Sequence, residues 1–151
     1  MAAMTTSWRA STPHDVQDAF DALFSTVQPF AEATMSKRRQ LAPLGAQIDA
    51  AGATTLAAAL PPRGETSSAA IAGLLIDGIR QAGDAVRAAV IVEDVRLTEL
   101  GTDAIRYSLE HRDGHALQIV SPYSISGGLK KKVEFGSHSV SLGVRRIWID
   151  T

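Results

Sequence analysis

The stretch SLEHRDGHALQIV, residues 108–120, decides the fold of the second half of the chain. It carries Arg112-Asp113-Gly114 between two runs in which apolar and polar residues alternate. Alternation with a period of two is typical of a half-buried β-strand, and an Asp-Gly pair between two such runs favours a tight turn. The stretch therefore predicts a β-hairpin.

Two registers are compatible with this turn. A two-residue loop would be a type I′ turn, and it would leave apolar and polar residues mixed on both faces of the hairpin. A three-residue loop, 112–114, sets Leu109 opposite Leu117 and Tyr107 opposite Ile119, which gives one mostly apolar face. Because register follows the buried face, we expect the three-residue loop, with the two-residue loop as the alternative.

The hairpin end also holds the densest group of chemically active side chains, Glu-His-Arg-Asp-Gly-His at 110–115. In the three-residue register His111 and His115 face each other, near enough to share an ion. A zinc site needs at least three protein ligands, and no third one is nearby in the sequence, since Asp113 lies in the turn and Glu110 on the other face. We expect a hairpin end without a metal ion or cofactor, and a single histidine acting in a pocket is the alternative.

The alternation continues on both sides of the hairpin. Five segments are predicted as strands: AAVIVEDVRLTE, DAIRYSLEHR, HALQIVSPYSI, KKKVEF and SVSLGVRRIWI. Consecutive strands joined by short turns favour an antiparallel meander. A turn at 136–137 is expected to pair the last two strands, with Val133 opposite Val140, and a bulge is expected at Arg145 and Arg146.

A first helix is predicted over residues 13–28. Pro13 suits the first helical position, and Pro29 is expected to kink or end the helix, with a helical continuation up to SKRRQ. Apolar residues recur at helical spacing on one side of the helix, which predicts that this side faces the core. The stripe consists of Val16, Phe20, Leu23, Phe24 and Val27.

A second helix is predicted over residues 67–82, capped by Ser67 or Ser68. Its small residues Ala72, Gly73 and Gly78 suggest that another element approaches closely. Its apolar stripe consists of Ile71, Leu74, Leu75 and Ile79. The alanine-rich segment 41–66 between the two helices is expected to form short helices at 43–51 and 54–60, with a strand around 54–60 as the alternative.

Helices followed by strands predict an α+β fold. We expect one domain over residues 12–151, preceded by a flexible tail, 1–11, from which Trp8 docks on the body. The N-terminal helices are expected to pack on one face of a C-terminal antiparallel meander of four to five strands, curved like a cone. In general shape alone, this arrangement is similar to the nuclear-transport-factor-2-like fold. That likeness implies a pocket lined by Asp, His and Tyr, as in isomerases, cyclases and dehydratases.

Composition limits the function classes. The chain has 151 residues, a formal net charge of −1 and no cysteine. These values argue against global attraction to nucleic acid or an anionic membrane, and they exclude disulfides, thiolate metal sites and a cysteine nucleophile. Neither a secretory signal nor an apolar segment long enough to cross a bilayer is recognisable, so we expect a soluble, cytoplasmic protein.

A pair of carboxylates is the first candidate for chemistry. Glu93 and Asp94 are adjacent in an otherwise apolar strand, so one of them must face inward or lie at a bulge. If the sheet encloses a cavity, this carboxylate would line it together with Asp103, Tyr107 and His111. A carboxyl group in an apolar pocket has a raised pKa and can act as a general base. An exposed edge or a bulge is the alternative.

A small basic patch is the second candidate. Lys130, Lys132, Arg145 and Arg146 are expected near one end of the final hairpin, where they would bind an anion. Lysines on an edge strand also guard against edge-to-edge aggregation, which is the alternative.

No P-loop, dinucleotide fingerprint or nucleophile elbow is present. We therefore expect a non-catalytic module that binds a protein partner or itself, for example as a homodimer. The alternative is a small pocket enzyme or carrier of a small apolar ligand, of the isomerase, cyclase or dehydratase type, with a general base inside the curved sheet.

Overall fold

The computed structural model describes residues 8–58 and 67–149, so residues 1–7 of the expected tail, 1–11, lie outside the described residues. Within them the chain is α+β, with two long helices packed on a curled antiparallel sheet of seven strands. The fold class predicted from the sequence is confirmed, with more strands than expected. The elements are α1 (His14–Arg38), β1 (Leu44–Asp49), β2 (Thr54–Ala57), α2 (Ser68–Ala82), β3 (Val86–Leu97), β4 (Thr102–His111), β5 (Ala116–Ser126), β6 (Lys132–Phe135) and β7 (Ser139–Leu142).

The β4–β5 hairpin has the three-residue loop. Leu109 lies opposite Leu117 and Tyr107 opposite Ile119. Gly114 adopts a φ of 108°, and its amide donates to the carbonyl oxygen of His111. The register predicted from the buried face is therefore confirmed.

The last two strands do not pair with each other, so the expected Val133–Val140 pairing is wrong. Both strands lie along β5 instead: β6 pairs with residues 123–126 and β7 with residues 117–120. Because β5 is 11 residues long, one edge accommodates both short strands. This arrangement packs Val133, Phe135 and Val140 against the main core.

The predicted final strand also stops early. After Leu142 the chain leaves the sheet at Gly143, where an added Cβ would lie only 3.0–3.1 Å from backbone atoms of Leu117. Residues 143–149 therefore form a separate C-terminal segment, in which the expected bulge at Arg145 and Arg146 does not occur.

The short helices expected at 43–51 and 54–60 are wrong. These residues form β1 and β2, and β1 lies between β2 and β3 in the sheet order β2-β1-β3-β4-β5-β6. The carboxylate of Asp49 accepts the amides of Ala51 and Ala53, which closes the turn between the strands. The alternative of a strand around 54–60 is confirmed for 54–57, and residues 59–66 lie outside the described residues.

The two helices cover opposite faces of the sheet rather than the one face expected. In β3, Val90 and Val92 face the core that contains α1, whereas Ala89 and Ile91 face α2. A strand buried on both faces has a continuous apolar sequence, as β3 has at its centre. Trp8 is buried against the α1 side at 6.2 Å between ring centroids from Phe20, so its predicted docking is confirmed.

Both helices form where the sequence predicts them, and α2 departs from its prediction in packing. Pro29 lies inside α1, which continues to Arg38 as the helical continuation predicted. The Ser67 hydroxyl accepts the amide of Ala70 and caps α2. The predicted close approach at Gly73 and Gly78 is wrong, since an added Cβ would meet open space at both positions. The buried stripe of α2 is also rotated away from the exposed Leu74, and it consists of Ala72, Leu75, Ile76 and Ile79.

Candidate functional site

Asp94 is the inward member of the carboxylate pair. It lies opposite Ile105 in the register and therefore shares the α1 face of the sheet. The Tyr123 hydroxyl donates to Asp94 Oδ1 at 2.7 Å, and no donor among the described residues reaches Oδ2. Glu93 faces the other side of the sheet, where Arg106 and Arg146 bind its carboxylate.

Asp94 lies on the wall of a groove of about 790 Å³. The groove runs between the second half of α1, the segment before β1 and the start of α2. Its volume is within the range of small-molecule sites, and its lining combines apolar side chains with a few polar groups, as such sites do. The apolar lining includes Phe30, Leu41, Pro43, Leu44 and Ile71, and the polar lining includes Thr34, Arg38 and Ser68.

The surroundings of Asp94 and Tyr123 raise the pKa of both side chains. Burial raises the pKa of Asp94, the hydrogen bond from Tyr123 opposes this shift, and the charge of Asp103 adds to it. Burial and the bond to Asp94 raise the pKa of Tyr123. Tyr123 is therefore a hydrogen-bond donor at neutral pH, and Asp94 can accept a hydrogen bond or a proton from a bound molecule.

Only part of the predicted site group comes together. Asp103 lies opposite Tyr123, but its carboxylate bonds to Arg96 at 3.2 Å. His111 lies eight residues beyond Asp103 in β4, which corresponds to about 26 Å of extended strand, so the two side chains cannot share a site. Of the four residues predicted as a group, Asp94 alone is in the groove lining described here.

Tyr107 is fully buried on the α1 face, with its ring edge-on to Phe24 at 4.9 Å. Its hydroxyl has no hydrogen-bond partner among the described residues, and the same holds for the buried hydroxyl of Ser121. Burial, followed by the charge of Glu32, raises the pKa of Tyr107. Tyr107 is therefore a neutral core residue with an unsatisfied polar group, separate from the groove.

The structure brings an aspartate from α1 to the hairpin end, beside His111 and the Asp113 that the sequence-based prediction discounted, whereas His115 is not part of this group. One ligand atom each from Asp15, His111 and Asp113 lies within 4.8 Å of the others. Burial lowers the pKa of His111, against the opposing charges of Asp113 and Asp15. The sequence-based reason for expecting no metal site was the lack of a third ligand, and packing of the first turn of α1 against the hairpin removes that reason.

The predicted basic patch is not assembled. Lys132 lies opposite Ser126 at one end of β5, whereas Arg145 lies beside Gly114 at the other end. Lys130 is exposed in the segment just before β6. Arg146 is bound to a carboxylate at 2.8 Å.

The face opposite α1 carries a buried carboxylate that holds the C-terminal segment. Glu110 is 4% exposed and accepts the backbone amides of Arg146, Ile147 and Trp148 at 2.7–3.2 Å. Burial acts to raise the pKa of Glu93 on the same face, but the hydrogen bonds and charges of its two arginine partners outweigh burial and leave the pKa lowered. These carboxylates tie the C-terminal segment to the sheet, a role that no pattern in the sequence indicated.

Comparison with known proteins adds nothing to this geometry: no family model, curated protein or solved structure matches the chain. Within residues 8–58 and 67–149, neither helix has the length and apolar character needed to cross a membrane.

Proposed function

We propose that the chain binds a small, mostly apolar ligand with one hydrogen-bond donor in the groove beside Asp94. One observation carries the proposal: a half-buried carboxyl group, fixed by Tyr123 at 2.7 Å, lies on the wall of a groove of about 790 Å³. A carboxyl group with perturbed pKa in an apolar groove is a common mark of a binding or active site. Oδ2 of Asp94 is the atom that receives the ligand's donor.

Naphthol is a suitable probe, because it has two fused apolar rings, one hydroxyl donor and its own fluorescence. Ile71 lines the groove, whereas Leu74 is on the same helix outside the groove lining. We expect Ile71→Trp to fill the groove and to weaken naphthol binding by about 10-fold or more, while Leu74→Trp leaves the affinity unchanged. Equal affinity of wild type and Ile71→Trp for naphthol would show that the groove is not the binding site.

Asp94 also supports the enzyme form of this proposal. A carboxyl group with raised pKa beside a protonated phenol suits proton abstraction in a reaction of the isomerase, cyclase or dehydratase type. For such an enzyme, Asp94→Asn keeps the ligand in the groove and abolishes turnover. For a carrier, the same variant changes affinity alone.

Self-association is a second candidate, favoured by the two edges of the sheet. Leu56 on the edge strand β2 is 54% exposed, and Leu142 at the end of β7 is 82% exposed. Exposed edges with apolar side chains invite pairing with a second copy. Light scattering after size exclusion tests this candidate: a dimer that Leu142→Lys converts to monomer supports it, and a monomer at all concentrations opposes it.

A cytoplasmic location remains part of the proposal, supported by the absence of cysteine. Nucleic acid is not proposed as a partner, because the net charge is −1 and the predicted basic residues lie apart.

A further inference from the structure

We propose that Asp15, His111 and Asp113 bind a divalent transition-metal ion of the zinc type at the end of the β4–β5 hairpin. One ligand atom from each residue lies within 4.8 Å of the other two. The residues come from two elements distant in sequence, the first turn of α1 and the hairpin. None of the three is in the described lining of the groove, so this site is independent of the proposed ligand site.

The histidine is a built part of this site. The His111 side chain is 6% exposed, and its Nδ1 accepts the backbone amide of Asp113 at 3.1 Å. The Nδ1 lone pair therefore points toward the turn, where Oδ2 of Asp113 lies at 3.7 Å. Ligand atoms around a tetrahedral zinc ion are ~3.4 Å apart, given metal–ligand distances of ~2.1 Å. To close the site, the ligand atoms must approach one another by up to ~1.4 Å, and the ion must replace the amide of Asp113 at Nδ1.

The charges favour a cation at this point. The Nδ1 lone pair of His111 accepts the backbone amide of Asp113, which a metal ion would displace, and the carboxylates of Asp113 and Asp15 place two negative charges beside this nitrogen. One imidazole with two carboxylates suits zinc and its neighbours, whereas calcium and magnesium prefer oxygen ligands alone. Asp15 and Asp113 are exposed, so the ion can enter from solvent, and water completes its coordination.

Titration calorimetry with Zn²⁺ tests the site on the full chain after dialysis against a chelator. We expect one ion per chain, with affinity weakened about 10-fold or more in Asp15→Asn and in Asp113→Asn, because each variant loses a ligand. Both positions are exposed, so both variants are expected to fold. Asp77→Asn removes an exposed carboxylate of α2, which covers the other face of the sheet from α1, and leaves zinc affinity unchanged.

Long-range NMR of the histidine ring nitrogens identifies the ligand directly. Of the four histidines in the chain, His111 alone is expected to shift when Zn²⁺ is added. The proposal is overturned if wild type takes up no zinc, if neither variant weakens binding, or if the ring of His14, His115 or His138 shifts instead.

Discussion

Replacing Glu110 with alanine tests the anchor of the C-terminal segment. The carboxylate accepts three backbone amides, those of Arg146, Ile147 and Trp148, in a site that excludes water. A hydrogen bond to a charged acceptor stabilises by about 1.5–3 kcal/mol, and a buried amide without a partner costs about 1–3 kcal/mol. Three amides without an acceptor would cost about 3–9 kcal/mol, which matches or exceeds the gain of about 3–6 kcal/mol from burying Ile147 and Trp148.

The segment is therefore expected to detach in Glu110→Ala, and this limits the loss of stability. Detachment exposes Ile147 and Trp148, whose burial stabilises by about 1.5–3 kcal/mol each, and it returns chain entropy to the released residues. We expect the free energy of unfolding to fall by about 3 kcal/mol. Glu110→Gln keeps one oxygen acceptor, so its loss should be smaller.

Urea unfolding followed by circular dichroism gives the change in stability. The emission of Trp148 reports detachment in a Trp8→Phe background, because the chain has two tryptophans. Glu99→Ala, an exposed position in the β3–β4 turn, is the matched control. An alanine variant at position 110 with wild-type stability and unshifted Trp148 emission would refute the reasoning.

Four further substitutions test local features of the fold and site. Tyr107→Phe removes an unpartnered buried hydroxyl and should raise stability by about 1 kcal/mol, so a clear loss in urea unfolding would reveal a missing partner. Gly78→Ala should stabilise α2 by up to about 1 kcal/mol, because the added Cβ meets open space. Gly45→Ala should destabilise the protein, because its Cβ would lie 2.7 Å from a backbone oxygen. Thermal melts that rank the two variants the other way would contradict this. The pKa of Asp94 is raised in the folded protein, so ionisation of this carboxyl group lowers stability as the pH rises through that pKa. Asp94→Asn should therefore be more stable than wild type at pH 7, and its advantage should be smaller near pH 4. A variant less stable than wild type at pH 7 would be evidence against this burial effect.

The register of the β4–β5 hairpin was predictable because its apolar side chains must lie together on the face that is buried in the core. Pairing Leu109 with Leu117 is the arrangement that collects apolar residues on one side, and a shift by one residue would expose them. Extending the same register leads from Ile105 and Ser121 to Asp103 and Tyr123. The position of Tyr123 in the sheet could therefore be predicted from the sequence, whereas its hydrogen bond to Asp94 could not.

The segment 41–57 could not be assigned from its pattern. β1 is buried along most of its length and rich in small residues, so neither helical spacing nor alternation is visible, and alanine favours helices. The pairing of β6 and β7 failed for another reason. A local turn rule predicts that neighbours pair, but the long edge of β5 binds both strands and packs their apolar side chains on the core.

The proposed metal site, Asp15, His111 and Asp113, also depends on a long-range contact that local sequence patterns do not reveal. Asp15 reaches the hairpin through the packing of α1 on the sheet, a contact between residues far apart in sequence. No spacing pattern connects Asp15 with His111. Short-range reasoning found His111 but paired it with His115, discounted Asp113 because it lies in the turn, and missed the helix residue that completes the group.

Ligand binding beside Asp94 is the central claim, and backbone amide NMR during a naphthol titration tests it most directly. We expect saturable shifts confined to the groove, at Thr34, Leu41, Ile71 and Asp94, and their loss in Ile71→Trp. Shifts that do not saturate, or that cluster at the sheet edges around Leu56 and Leu142, would contradict the claim.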